Sequence, residues 1–104
     1  MKIFVDIDET ICKYEDRGVG DSHRYPCAKP IRENLEKINK LYDEGNTIIY
    51  WTARGATSGI NWYQLTAAQL HEWGARHHEL RMGKPDYDLF ICDKTKRIEE
   101  IQGE

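Results

Sequence analysis

Apolar and polar positions along this chain mark out strands and helices in turn. Ile3, Phe4 and Val5 form an unbroken apolar run that stops at Asp6. Such a run suits a strand covered on both faces, as in a parallel sheet. Ile11 to Cys27 keeps neither a helical nor an alternating period and is rich in charge and glycine. It reads as a long loop, and loops of that length in small domains often carry function. Pro30 is placed as a first helical residue, and Ile31, Leu35, Ile38, Leu41 and Tyr42 follow at helical spacing. They predict an amphipathic helix ending near Gly45. Thr47 to Trp51 predicts a second strand, β-branched and aromatic. Ala53 to Gly59 is rich in turn residues. Asn61 then stands where it could cap a second helix, with Gln64 in the capping-box position and Tyr63, Ala67, Leu70 and Trp73 as the buried face. Glu79 to Met82 predicts a short third strand, Asp88 to Cys92 a fourth, and Lys96 to Ile101 a last short helix.

Strands alternating with helices predict an α/β fold with a mostly parallel sheet and right-handed crossovers. Ligands of such sheets sit outside the carboxyl ends of the strands. Asp6 and Asp8, Thr52, Lys84 and Asp93 all fall at or just after predicted strand ends. A spacing of two puts Asp6 and Asp8 on the same side of an extended segment, where two carboxylates repel each other. A divalent cation relieves that repulsion, and oxygen ligands favour a hard ion such as Mg2+. Two solvated acids at a strand exit would give the same short pattern. The gathering of several polar groups on one sheet edge is what favours a site.

Composition narrows the classes. A chain of 104 residues predicts one domain, residues 1–104. The 39% apolar and 32% charged content is that of a folded domain. A formal net charge of −3 argues against a general nucleic-acid or anionic-membrane surface. No apolar run approaches a membrane span, and the three cysteines form no CxxC, so a reducing cytoplasm is expected. Cys12, His23 and Cys27 match no common zinc spacing.

Four ordered segments resemble the motifs of the haloacid dehalogenase-like (HAD) phosphatases. They are Asp6-Ile7-Asp8-Glu9-Thr10, Thr52 after a hydrophobic strand, Lys84 within Gly83-Lys84-Pro85, and Asp93 after Leu89-Phe90-Ile91-Cys92. The resemblance implies a Rossmann-like sheet in the strand order 4-1-2-3, flanked by helices, with residues 12–27 as a small flap in place of a cap. It implies a Mg2+-dependent phosphomonoesterase working through an aspartyl-phosphate. Asp6 would be the nucleophile and Asp8 the general acid and base. Thr52 and Lys84 would hold the phosphoryl group, with Glu9, Thr10, Ala53 and Arg54 completing the substrate contacts. Asp6, Asp8 and Asp93 would hold Mg2+. Cys92 stands where many relatives carry another acid, which weakens the expected metal site. A minimal cap implies an open site, taking a large substrate or closed by a second subunit of a homo-oligomer.

Two subgroups look close. Small capsular-polysaccharide-biosynthesis phosphatases share the Thr-Ala-Arg and Gly-Lys-Pro segments, and polynucleotide 3'-phosphatase domains are similar around Thr52 to Gly55. The acidic balance ranks a small phosphorylated metabolite such as a sugar phosphate above an oligonucleotide. Arg54 is the leading substrate-side cation, since a guanidinium can grip a second oxygen. Rivals from other classes are a phospho-accepting signalling module, disfavoured because nothing acidic follows Trp51, and a non-catalytic binding module.

Overall fold

The computed structural model describes residues 1–15 and 24–102. Its strands and helices run in the order β1 (Lys2–Val5), β2 (Cys12–Lys13), β3 (Lys29–Pro30), α1 (Arg32–Asp43), β4 (Thr47–Trp51), α2 (Tyr63–Glu72) and β5 (Glu79–Arg81). Short 3-10 turns cover Tyr25–Cys27 and Ile98–Glu100.

The main sheet has three parallel strands in the order β1-β4-β5. β4 is its centre, with Val5 opposite Tyr50 on one side and Trp51 opposite Arg81 on the other. This is a small α/β arrangement, as the alternating pattern predicts. The β-branched and aromatic run of β4 is the best-buried strand, with Ile48, Ile49 and Tyr50 all fully covered. α1 buries Leu35 and Ile38 and packs Leu41 and Tyr42 at the margin of the core. From α2 and its C-terminal end, Leu70 and Trp73 complete the core. Among the described residues, no helix is long and apolar enough to cross a membrane.

Several expectations are corrected. Asp88 to Cys92 forms no strand, and Leu89, Phe90 and Ile91 are 75%, 50% and 87% exposed. The order 4-1-2-3 is therefore not seen, only its 1-2-3 portion. Among the described residues no strand pairs with β1 on that side, and Phe4 stays 44% exposed instead of being covered on both faces. Pro30 does not begin the first helix. It sits in β3, opposite Cys12, where a residue without an N–H is tolerated at the edge of a short ribbon. The last helix is reduced to the 3-10 turn, with the Ile98 carbonyl accepting from Lys37 Nζ at 3.3 Å.

β2 and β3 form an antiparallel ribbon that ties down both ends of the 12–27 flap. Asp16 to His23, the middle of that flap, lie outside the described residues, and so does His23 of the set aside for zinc. The ribbon is anchored below by Ile11, whose carbonyl accepts from the Ile31 amide at 2.8 Å.

Candidate active site

The strand exits build the site. After Val5 the chain makes one tight turn, with the Thr10 and Ile11 amides donating to the Ile7 carbonyl at 3.1 and 2.9 Å. Glu9 takes a left-handed backbone, φ +65, to close it. Ile7 is fully buried, while its neighbours Asp6 and Asp8 line an open cleft of about 510 Å3. From β4 come Thr52, Ala53 and Arg54, and from the turn after β5 come Lys84, Asp86 and Tyr87. Thr57, Ser58, Arg24 and Tyr25 complete the walls.

Lys84 Nζ stands 3.4 Å from Asp6 Oδ1, and the Ile7 amide donates to the same oxygen at 2.9 Å. Burial at the cleft floor nonetheless pushes the Asp6 carboxyl above the ordinary carboxylate range. Lys84 and the Ile7 amide oppose the shift, and the Asp8 charge adds to it. Lys84 is itself held over the Tyr87 ring at 5.4 Å and the Trp51 ring at 6.0 Å. Thr52 is buried, and its Oγ1 accepts from the Arg54 amide at 3.1 Å. A hydroxyl that accepts one bond still has a proton to donate. The Thr52 carbonyl accepts from the Lys84 amide at 3.1 Å, which brings the two loops together.

Asp8 belongs to a buried polar network. Arg54 Nε approaches its two oxygens at 3.1 and 3.2 Å, and a terminal nitrogen of Arg54 reaches Oδ1 at 2.9 Å. The Tyr14 hydroxyl donates to the same Oδ1. The other terminal nitrogen of Arg54 donates to Thr66 Oγ1 at 3.0 Å and Gln69 Oε1 at 2.6 Å. A last donor reaches the Tyr14 oxygen at 3.2 Å. A guanidinium has five N–H groups, and these partners use all of them. Burial alone would pull the Arg54 pKa down, but the bonds and charge of Asp8 more than offset it and raise it. Burial and the Asp8 charge push the Tyr14 phenol up and the Cys12 thiol up to about 12, so both keep their protons.

This corrects the role of Arg54. Its side chain has no exposed surface, and no donor is left for a substrate. Glu9 and Thr10 do not line the cleft either. The Thr10 carbonyl instead accepts from Asn34 Nδ2 at 2.8 Å, joining the turn to α1. Ala53 lines the cleft but brings no side-chain donor. Asp93 is also misplaced by the sequence reading. It is exposed and outside the cleft, with the Cys92 thiol 3.7 Å from its Oδ1. The three-acid cation site of Asp6, Asp8 and Asp93 is not assembled, and the described residues contain no group of three metal-ligating side chains. What remains is Asp6, a carboxylate at the cleft floor. A single carboxylate fits a Mg2+ ion that takes its other ligands from water and a substrate phosphate.

The polar partners on α2 were missed. Tyr63 is 46% exposed, whereas Thr66 and Gln69 are buried. The helix turns its polar pair inward because Arg54 lies there. A Thr–Gln pair at i,i+3 beside Leu70 was the available signal. His77 and His78 make structural contacts. His78 Nδ1 accepts from the Ile48 amide at 3.1 Å, and His77 Nδ1 lies 2.8 Å from the Ala75 carbonyl.

The loop carrying Arg54 depends on Gly55. Its φ is +84, and a Cβ there would stand 2.2 Å from the Ile60 carbonyl oxygen. Gly55→Ala is expected to cost about 2 kcal/mol or more in a urea titration. Gly59 has φ +77 but open space around it, so Gly59→Ala should cost only about 1 kcal/mol. Equal effects would mean that close approach at Gly55 is unimportant.

No protein-family model matches this chain, and no curated protein matches it. Among solved structures, the chain is similar to a crystal structure of an MCSG target from Vibrio cholerae, at 22% identity and a TM-score of 0.80, over 95% of this chain and 85% of that one. That likeness establishes the fold alone: a small α/β arrangement with a parallel sheet.

Proposed function

We propose that the protein is a HAD-type phosphomonoesterase acting on a small phosphorylated metabolite such as a sugar phosphate. One observation carries the reading: Asp6, Asp8, Thr52 and Lys84, on three separate segments, meet in one cleft at the carboxyl ends of β1, β4 and β5. An Asp6 oxygen would attack phosphorus and the bond to the ester oxygen would break, leaving an aspartyl-phosphate. Splitting one displacement into two makes each step easier. Asp8 would give a proton to the departing oxygen, then take one from the water that cleaves the acyl-phosphate and frees Asp6. Among the described residues, Asp8 Oδ2 accepts only from Arg54 Nε, at 3.1 Å, and a carboxylate oxygen has two lone pairs, so this oxygen would carry the proton. The Thr52 hydroxyl and the Lys84 ammonium would bind phosphoryl oxygens. Phosphoryl transfer rests mostly on such placed charge. Mg2+ held by Asp6 would supply further charge neutralisation.

The test is release of phosphate from a panel of aryl and sugar phosphates and 3'-phosphorylated oligonucleotides, with and without Mg2+. Turnover of sugar phosphates that EDTA removes, with a phosphorylated Asp6 peptide in the quenched enzyme, is the expected result. No turnover of any ester would overturn the reading. Preference for the oligonucleotides would replace the substrate class with a polynucleotide 3'-phosphate.

A further inference from the structure

With Arg54 committed to Asp8, the cleft has another guanidinium. Arg24 lines the same wall. Its Cζ lies over the Tyr14 ring, 4.5 Å from the centroid, and 5.9 Å from the centroid of the Tyr25 ring. Its Nε is buried with no hydrogen-bond partner. Every other cleft cation is matched: Lys84 by Asp6, and Arg54 by Asp8. The remaining cleft acid, Asp86, accepts from the Thr57 hydroxyl at 3.2 Å. Among the described residues, Arg24 has no carboxylate within ion-pair distance. A buried donor without an acceptor is costly, and such a group in a native cleft calls for an explanation.

Its position gives one. Arg24 rests on Tyr14, and the Tyr14 hydroxyl donates to Asp8. The guanidinium is therefore one aromatic ring away from the acid that would face the departing oxygen. Lys84, beside Asp6, would serve the transferred phosphoryl group. The two cations thus divide the cleft between them.

We propose that Arg24 selects phosphate esters whose leaving group carries a second anionic group, a carboxylate or a second phosphate. The planar fork of an arginine binds either of these through two parallel bonds. The aromatic stack fixes the fork before the ligand arrives, so little side-chain freedom is lost on binding. This inference rests on the phosphatase reading for its reaction, but not for its binding site.

The experiment compares matched pairs: 3-phosphoglycerate with glycerol 3-phosphate, and fructose 1,6-bisphosphate with fructose 6-phosphate. The first pair isolates a carboxylate and the second a phosphate. In the parent protein, kcat/KM should favour the acid-bearing member of at least one pair by about ten-fold or more, the range of a charge-assisted hydrogen bond. Arg24→Ala should bring that ratio close to one, chiefly through KM, and Arg24→Lys should restore part of it. The ratio is taken within one preparation, so a smaller folded fraction does not alter it. If Arg24→Ala does not fold, Arg24→Gln keeps the length without the charge and reads the same ratio. No preference in the parent, or a preference that Arg24→Ala leaves intact, overturns the proposal.

If the parent hydrolyses none of the four, calorimetric titration with the same compounds decides Arg24, and the wider ester panel alone decides the phosphatase reading. Tighter binding of an acid-bearing member that is lost in Arg24→Ala upholds the site. Equal or undetectable binding of both members overturns it.

Discussion

Arg54→Met is expected to lower the melting temperature by about 10 °C or more, the largest stability effect of any single cleft substitution. The reason is what the guanidinium leaves behind. Asp8 would lose its bidentate partner, Tyr14 one of its donors, and Thr66 and Gln69 the group they accept from. Arg54 is fully buried, and the Asp8 side chain is only 20% exposed. Breaking one member of such a pair costs about 3–5 kcal/mol, because the surviving charge is stranded. For a domain of this size each kcal/mol moves the midpoint by roughly 4–8 °C.

Arg54→Lys should lie close to Arg54→Met, since an ammonium cannot reproduce the fork. Adding Asp8→Asn to Arg54→Met should recover about 1–3 kcal/mol, because the stranded charge is then gone. The check is thermal and urea unfolding of the two single variants and the double variant. A shift under about 3 °C for Arg54→Met, or strict additivity in the double variant, would mean that the network is not what holds these elements together.

That network also shows where the sequence is readable and where it is not. β1, β4 and β5 were legible because their apolar runs meet the core directly, and β4, covered on both faces, has the clearest run. α1 was legible for the same reason, since Leu35 and Ile38 fall on one stripe. Periodicity fails where a buried face is polar. α2 turns Thr66 and Gln69 inward to reach Arg54, so its apolar residues alone point to a slightly wrong face. Residue type also fails to say which of two arginines is spoken for. In the sequence Arg54 reads as the leading substrate-side cation, and nothing there sets Arg24 above it. Only geometry separates a cation with every donor used from one with a buried donor unmatched.

The acids are a middle case. Asp6 and Asp8 both line the cleft, and their spacing at a strand exit is a local pattern. Asp93 needed a long-range pairing of residues 88–92 with β1. No local pattern can guarantee such a pairing, and the exposed Leu89 and Ile91 side chains show that it is not made.

Asp6→Asn is expected to reduce phosphate release by at least about 10^3-fold while raising the melting temperature. On the proposed reaction, the first effect follows from removing the oxyanion that would attack, for which an amide is no substitute. The second follows from the sign of the Asp6 shift. Burial raises its pKa in the folded protein, and the Lys84 charge and Ile7 amide do not fully offset that. A carboxyl whose folded pKa lies above its unfolded one binds its proton more tightly when folded. Above both values the ionised group subtracts from stability, and the loss is relieved as pH falls through the folded pKa. Asparagine is neutral and nearly the same shape, so the variant lacks that penalty at neutral pH. The gain should be modest, because the Asp6 side chain is 42% exposed and water screens it.

The advantage of Asp6→Asn should shrink on acidification and vanish below the ordinary carboxylate range, where the parent Asp6 is protonated as well. Melting curves of parent and variant from neutral to acidic pH, alongside turnover of an aryl phosphate, make both measurements. Undiminished turnover would remove Asp6 from the chemistry. A lower melting temperature at neutral pH would mean that the Lys84 pair outweighs burial, and that this carboxylate is held in the fold for stability as well as for attack.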